Sequence, residues 1–130
     1  MCIRDSTGTA QYEVNKLSAE LGNADVELVR KELGTEFDMI VHEPDGILEI
    51  GQAGHSKASG IERLCESLGI AKEDTYAFGD SANDVEMLEF VAHGIAMGNG
   101  MDVAKNAAEF VTTDIHKDGI WNGLKHYGLI

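Results

Sequence analysis

The chain has 130 residues, of which 43% are hydrophobic and one is proline, and this composition predicts a globular fold with a core of its own. The formal net charge of −13 argues against binding to nucleic acid or to an anionic membrane, because both carry charge of the same sign. There is no run of about 18 apolar residues, so no transmembrane helix is expected. The two cysteines lack metal-type spacing, and a reducing cytoplasm is the expected location.

The first six residues fit none of the elements that follow them. Their sequence, MCIRDS, resembles translated sequencing-adapter sequence. We therefore interpret residues 1–6 as a non-native extension and leave them out of the fold prediction. On this interpretation Met1 is not a native start, and we expect the natural protein to continue upstream.

The next part of the chain predicts a strand, a helix and a hairpin. The predicted elements are a strand at residues 12–17, a helix from Asn23 to Leu33, and strands at residues 37–42 and 47–50. Asn23 is suited to cap the helix and Gly34 to stop it. The composition of Glu43-Pro44-Asp45-Gly46 is that of a turn.

Helices and strands alternate through the rest of the chain. The predicted helices are residues 56–68, 83–91, 102–108 and 119–127, and the predicted strands are residues 75–78, 93–97 and 110–112. This alternation predicts an α/β fold, a parallel sheet with flanking helices. In such sheets the functional groups lie beyond the carboxyl ends of the strands. Trp121, on the last helix, is expected in the core.

An acidic loop follows the first of these parallel strands. Asp80 comes directly after the strand and Asp84 lies four residues later, so both carboxylates can face one point, with Asn83 beside them. Two carboxylates on a tight turn suit Mg²⁺, which takes one or two protein carboxylates and keeps several waters. The alternative is favoured for this pattern alone: Asp80 or Ser81 caps the next helix, and Asp84 interacts with its dipole.

A lysine and a glycine-rich stretch are weaker signals. Lys57 lies at the start of a helix, where the helix dipole disfavours a cation. The ammonium could instead face a phosphoryl group or offset repulsion among carboxylates, although on its own it is better explained as a solvated side chain. Gly98 and Gly100 flank Asn99 after the second parallel strand and would let the backbone pass close to a ligand or to the next helix start.

Together these segments resemble the Cof-type branch of the haloacid dehalogenase (HAD) phosphatases. The matching segments keep that branch's order and intervals, and they are Ser56-Lys57, Gly79-Asp80-Ser81-Ala82-Asn83-Asp84-Val85-Glu86-Met87-Leu88, Ala96-Met97-Gly98-Asn99 and Asp118-Gly119-Ile120. The resemblance implies a HAD-like, Rossmann-type core that is incomplete in this chain. Residues 53–130 would be the C-terminal half of that core, and residues 7–52 the tail of an α/β cap that selects the substrate.

The resemblance also implies the site and the reaction. Lys57 would be the charge-stabilising lysine and a phosphate ligand, Asp80 and Asp84 would hold Mg²⁺, and Asn83 would support the phosphate or the metal. The substrate would be a small phosphorylated metabolite, such as a sugar phosphate, hydrolysed through a phosphoaspartyl intermediate. Neither nucleic acid nor membrane would be a partner.

One part of the family's active site is missing from the sequence. The family's nucleophile is the first aspartate of an Asp-x-Asp-Gly-Thr motif, which this chain lacks. Residues 5–9 (DSTGT) are only a superficial echo, since they lack the second acid and a preceding apolar strand. The serine or threonine of the family's second motif is also missing. We therefore expect the chain to have no phosphatase turnover by itself.

Three other interpretations remain open at this point. The phosphorylation domain of a P-type ATPase shares a similar acidic loop but should lead into membrane helices, so it is disfavoured. A non-catalytic module could use the acidic loop for binding or regulation. A sugar-phosphate mutase or synthase-coupled sugar-phosphatase of the same superfamily would differ chiefly in its cap.

Overall fold

The structure is a computed structural model that describes residues 16–23, 25–42 and 46–130. The described residues form two compact units, one ending at His55 and the other comprising Ser56–Ile130. Among them, no helix has both the length and the apolar character that crossing a membrane requires.

The first unit is an antiparallel sheet with one helix. Its elements are β1 (Lys16–Glu20), α1 (Val26–Leu33), β2 (Phe37–His42) and β3 (Ile47–Gln52), and the strand order is β1-β3-β2. Leu48 on the central strand is buried and pairs with Ala19 on one side and Val41 on the other. The two hairpin strands are confirmed. The first strand, predicted at residues 12–17, overlaps the described strand at residues 16–17, and that strand continues to Glu20. Residues 12–15 and the predicted turn residues 43–45 lie outside the described part.

Helix α1 begins two residues later than Asn23 would allow. The cap is Asp25, whose carboxylate accepts hydrogen bonds from the backbone N–H groups of Glu27 and Leu28 at 3.0 and 3.3 Å. The prediction that Asn23 caps this helix is therefore wrong. Aspartate and asparagine are equally good caps, so composition alone does not choose between them. The predicted stop is confirmed, because Gly34 has a φ of +65°, a conformation that favours glycine.

The second unit carries the predicted alternation of strands and helices. Its elements are α2 (Lys57–Leu68), β4 (Tyr76–Gly79), α3 (Val85–Phe90), β5 (His93–Ala96), α4 (Asp102–Ala107), β6 (Phe110–Val111) and α5 (Gly119–His126). The three strands form a parallel sheet in the order β4-β5-β6. The α/β prediction, a parallel sheet with flanking helices, is confirmed. Ser56 caps α2 by accepting a hydrogen bond from the Ser59 N–H at 3.2 Å.

Helices cover both faces of this parallel sheet. Side chains alternate across a strand, so Gly79 and Gly94 share one face while Phe78 and Ile95 share the other. Helix α3 packs on the first face through Leu88, which is buried against Gly79 and Gly94. Helix α5 packs on the second face, where a Cβ atom at its Gly123 would come within 2.6 Å of the Phe78 ring. The core of the unit lies around Ile95, which is fully buried.

Trp121 is not part of that core. Its relative exposure is 51%, and the ammonium of Lys125 lies 4.8 Å from the centroid of its ring. The prediction that Trp121 is buried is therefore wrong. Gly123 of the same helix makes the close approach to the sheet, and this turns Trp121 towards solvent.

The close packing of α3 on the sheet predicts a large effect at Gly94. A Cβ atom at this position would clash with the backbone carbonyl of Leu88, which has no freedom to move aside. We expect Gly94→Ala to lower the free energy of unfolding by about 1–3 kcal/mol, the usual cost of overpacking. Urea unfolding followed by Trp121 fluorescence measures this, because Trp121 is the one tryptophan in the sequence.

Gly60→Ala is the matched control for that substitution. Gly60 lies inside α2, and a Cβ atom there has open space within 4 Å. Alanine should raise the free energy of unfolding by about 0.5–1 kcal/mol, because it favours the helix more than glycine does. Equal effects at Gly94 and Gly60 would contradict the packing described for α3.

An aromatic and polar cluster holds the end of α5 near the sheet. The Tyr127 hydroxyl donates a hydrogen bond to the Glu109 carboxylate at 2.9 Å, and His93 Nδ1 lies 2.9 Å from the same carboxylate oxygen. The His93 ring stacks on Tyr76 with a centroid separation of 4.6 Å. Burial of the Tyr127 hydroxyl and its hydrogen bond to Glu109 raise the pKa of Tyr127 to about 12.

The raised pKa of Tyr127 predicts a loss of stability in alkali. Folding favours the neutral phenol, so this contribution is fully present below the unfolded-state pKa of about 10 and disappears as pH rises towards 12. We expect the free energy of unfolding to fall across that window, and Tyr127→Phe to remove this part of the fall. Unfolding measured at several pH values for both proteins tests the prediction, and identical pH profiles would contradict it.

Candidate active site

The four residues singled out from the sequence line one open depression of about 470 Å³ in the second unit. Asp80, Asn83 and Asp84 follow β4, and Lys57 is the first residue of α2. The depression lies beyond the carboxyl end of β4, where parallel α/β sheets carry their functional groups. Two segments 23 or more positions apart in sequence, Lys57 and the acidic loop, therefore meet at a single point.

Asp84 organises this loop. Its side chain is 6% exposed, and its Oδ1 atom accepts a hydrogen bond from the ammonium of Lys57. Its Oδ2 atom accepts hydrogen bonds from the backbone N–H groups of Asp80 and Ser81 at 2.9 and 3.1 Å. The carboxylate therefore fixes the loop and pairs with the lysine at the same time. The ion pair also explains why a cation is tolerated at the start of α2.

These contacts keep Asp84 ionised. Burial acts to raise the pKa of Asp84, but the hydrogen bond from Lys57 and those from the Asp80 and Ser81 backbone together outweigh it, so the pKa lies below its usual value. By linkage, the stabilisation is present above the unfolded-state pKa and is lost as pH falls through the folded-state pKa. At neutral pH the site therefore holds a negative charge beside the ammonium of Lys57.

The oxygen donors of the depression fit Mg²⁺ better than a transition metal. Asp80 is exposed at the end of β4, and the hydrogen bonds of the described residues leave its carboxylate free. Asp84 Oδ1 has a second lone pair beyond the one facing Lys57. The described residues contain no group of three or more His, Cys, Asp or Glu side chains arranged around a metal. Mg²⁺ needs only one or two carboxylates, because water and phosphate oxygens supply its other ligands.

The loop after β5 supports Asp80 from the other side. The Met101 N–H donates a hydrogen bond to the Asp80 carbonyl at 2.7 Å, and a Cβ atom at Gly100 would come within 3.0 Å of the Asp80 Cα atom. A Cβ atom at Gly98 would meet the backbone of residues 112–114 at 2.8 Å. The two glycines are therefore needed for close approach of the protein's own backbone, a reason that the sequence interpretation had not named.

Several contributors to the site were missed in the sequence. The depression has an apolar wall formed by Phe78, Met97, Ile115 and Ile120. Ile120 belongs to a matching segment of the family resemblance but was given no role, and Ile115 carries no motif signal. The Ile115 N–H donates a hydrogen bond to Asn99 Oδ1 at 2.9 Å, which ties the turn at Ile115 to the loop after β5. Ser81 was considered only as a helix cap, but its hydroxyl lies 2.6 Å from Asn83 Oδ1.

The fold and the arrangement of the loops belong to one class of enzyme. Residues 3–124 match the family model described as haloacid dehalogenase-like hydrolase, and the chain belongs to this family. The resemblance to HAD phosphatases is thereby confirmed.

Particular relatives agree with this assignment. The chain is 55% identical over 78 residues to an uncharacterized protein of Geobacillus stearothermophilus encoded in the pdhA 5′ region, covering 60% of this chain and 82% of that protein. It is 42% identical over 84 residues to the Bacillus subtilis 5-amino-6-(5-phospho-D-ribitylamino)uracil phosphatase YitU, covering 65% of this chain and 31% of the phosphatase. A crystal structure from a phosphoryl-transfer superfamily matches with a TM-score of 0.82 at 31% identity, covering 92% of this chain and 45% of the other.

This chain corresponds to only part of the length of two of these relatives. The chain spans about a third of the length of YitU and just under half of the superfamily structure. The family model and the name of YitU support phosphatase chemistry for the family.

Proposed function

We propose that this chain contributes the cation-binding and charge-stabilising half of the active site of a Mg²⁺-dependent HAD phosphatase. The observation that carries the proposal is the meeting of Lys57 with Asp80, Asn83 and Asp84 in one depression beyond a parallel strand. Phosphoryl transfer needs this combination, because positive charge must offset the charge on the transferred group. A helix cap alone would explain the backbone hydrogen bonds of Asp84 but not its ion pair with Lys57.

The residues divide this work between them. Asp80, and Asp84 through its Oδ1 atom, would hold Mg²⁺, which when bound neutralises charge on phosphate oxygens. Lys57 is 49% exposed, so its ammonium is accessible from the depression while Asp84 holds it in place. The hydrogen bonds to Asp84 and Asn83 use two of the three ammonium hydrogens, and the third is available for a phosphoryl oxygen.

The substrate that we propose is a small phosphorylated metabolite. YitU is named for a phosphorylated ribityl compound, and the net charge of −13 disfavours polyanionic macromolecules as partners. The apolar wall formed by Phe78, Met97, Ile115 and Ile120 lies beside the charged groups. Residues 7–52 would contribute to the cap of the whole enzyme, and residues 53–130 to the C-terminal half of its core.

The proposal includes the absence of turnover in this chain by itself. The aspartate that would form the phosphoaspartyl intermediate belongs to an Asp-x-Asp-Gly-Thr motif that the sequence lacks. We expect the 130-residue chain to bind Mg²⁺ but to release no phosphate from p-nitrophenyl phosphate. Calorimetric titration with Mg²⁺ and a phosphate-release assay on the same preparation test both parts.

Two results would contradict the proposal in different ways. Turnover or a burst that requires Mg²⁺ and disappears in Asp80→Ala would refute the absence of a nucleophile. Failure to bind Mg²⁺ would refute the cation site and would favour a non-catalytic role for the acidic loop.

A further inference from the structure

The hydroxyl of Ser81 lies between two side chains of the acidic loop. It is 2.6 Å from Asn83 Oδ1 and 3.3 Å from Asp84 Oδ2. A serine hydroxyl carries one hydrogen, so it donates fully to only one of these oxygens. The shorter distance, within the usual range for O–H···O bonds, makes Asn83 the main acceptor.

The amide of Asn83 is also oriented by Lys57. The Lys57 ammonium lies 3.5 Å from Asn83 Oδ1, and an ammonium only donates hydrogen bonds, so the atom facing it must be the oxygen. Ser81 and Lys57 therefore both donate to the same carbonyl oxygen. Their two hydrogens use its two lone pairs.

The amide nitrogen of Asn83 is left for another partner. It carries two hydrogens, and neither is donated to another of the described residues. Asn83 lines the depression, so this NH2 group is the part of the residue that is available to a ligand there. A donor of this kind binds an anionic oxygen, whereas a cation needs a free lone pair, and Ser81 and Lys57 occupy both of those on Oδ1.

We propose that Ser81 is a positioning residue that turns the Asn83 amide so that its NH2 group binds a phosphoryl oxygen of the substrate. The inference rests on the proposed function, in which Lys57 and Asn83 face the substrate phosphate, and it concerns what orients the Asn83 amide. Asn83 and Lys57 then donate to the same phosphoryl group, while Asp80 binds the cation. Ser81 acts through Asn83 and does not touch the ligand.

Binding of Mg²⁺ and of inorganic phosphate to the full chain tests the assignment. With Mg²⁺ present, we expect Asn83→Ala to weaken phosphate binding about tenfold, as expected for one hydrogen bond to a charged group, and to leave Mg²⁺ affinity within about twofold. Ser81→Ala should weaken phosphate binding about threefold, and Ser81→Thr, which keeps the hydroxyl, should restore it. In the Asn83→Ala background, Ser81→Ala should have no further effect.

Each alternative has its own result in this experiment. Loss of Mg²⁺ affinity in Asn83→Ala would overturn the phosphate assignment and make Asn83 a metal ligand. An equal effect of Ser81→Ala with and without Asn83 would overturn the positioning role, because Ser81 would then act through Asp84 alone.

A second measurement needs no ligand. The carbonyl carbon of the Asn83 side chain should change its NMR chemical shift in Ser81→Ala and regain it in Ser81→Thr. An unchanged signal in Ser81→Ala overturns the positioning role by itself. A chain that binds neither Mg²⁺ nor phosphate contradicts the proposed function and with it the phosphate contact, while the carbonyl signal still decides the role of Ser81.

Discussion

Replacing Asp84 by alanine is expected to lower the free energy of unfolding of the second unit by about 2–4 kcal/mol. The carboxylate is 6% exposed and accepts hydrogen bonds from Lys57 and from the backbone of Asp80 and Ser81. Alanine would leave those two N–H groups without their acceptor at the end of β4. The expected loss of stability is no larger than this because Lys57 is half exposed, so water can solvate its ammonium when Asp84 is removed.

Asp84→Asn separates the charge of this residue from its shape. Asparagine has similar volume and one oxygen acceptor, so it should recover part of the stability lost in alanine. It should also remove the acid-dependent part of the stability, since no carboxyl remains to titrate. Urea unfolding at neutral and acidic pH, followed by Trp121 fluorescence, measures both effects. A stability unchanged in Asp84→Ala would contradict the role of Asp84 as the organiser of the loop.

Replacing Asp80 by alanine is expected to weaken Mg²⁺ binding while leaving the stability of the fold nearly unchanged. Its carboxylate is exposed and free of hydrogen bonds to the described residues, so stability should change by less than about 0.5 kcal/mol. Affinity for Mg²⁺ should fall at least about tenfold, because a cation that takes only one or two protein carboxylates loses much of its anchoring with either one. Calorimetric titration of the wild-type chain and the variant measures this.

The matched control for Asp80 is Glu89→Ala. Glu89 is an exposed carboxylate on α3 that does not line the depression, and its removal changes the net charge by the same amount. If the affinity falls equally in both variants, Mg²⁺ is attracted by the overall charge of −13 and not held at the acidic loop.

Much of the second unit could be predicted because its signals are local. A serine cap precedes α2, and Gly69 ends it with a φ of +66°, so the sequence marks both ends of the helix. The short apolar strand β4 ends at Gly79, and β5 ends at Ala96, shortly before the glycines of the next loop. The alternation of these strands with helices indicates a parallel sheet. Asp80, Asp84 and Lys57 were singled out by their spacing together with the order of the family's motifs, since the spacing alone favoured a helix cap.

The remaining features depend on contacts between segments distant in sequence. Helical periodicity places Trp121 on an apolar stripe, but the close approach of Gly123 to Phe78 decides which part of α5 meets the sheet. Glycine is needed at position 100 because the backbone of Asp80 lies against it. The orientation of the Asn83 amide depends on Lys57 as well as on Ser81. The residue type at a single position does not indicate which distant segment that residue contacts.

The most direct test of the account is to locate a bound divalent cation on the chain. Mn²⁺ is a paramagnetic substitute for Mg²⁺ and broadens the NMR signals of nearby amides. We predict that substoichiometric Mn²⁺ broadens the amide signals of residues 79–84 and 98–101 first, and that excess Mg²⁺ restores them. Broadening spread over the acidic surface, or centred on a carboxylate outside the depression such as Glu89, would contradict the assignment of this loop as the cation site.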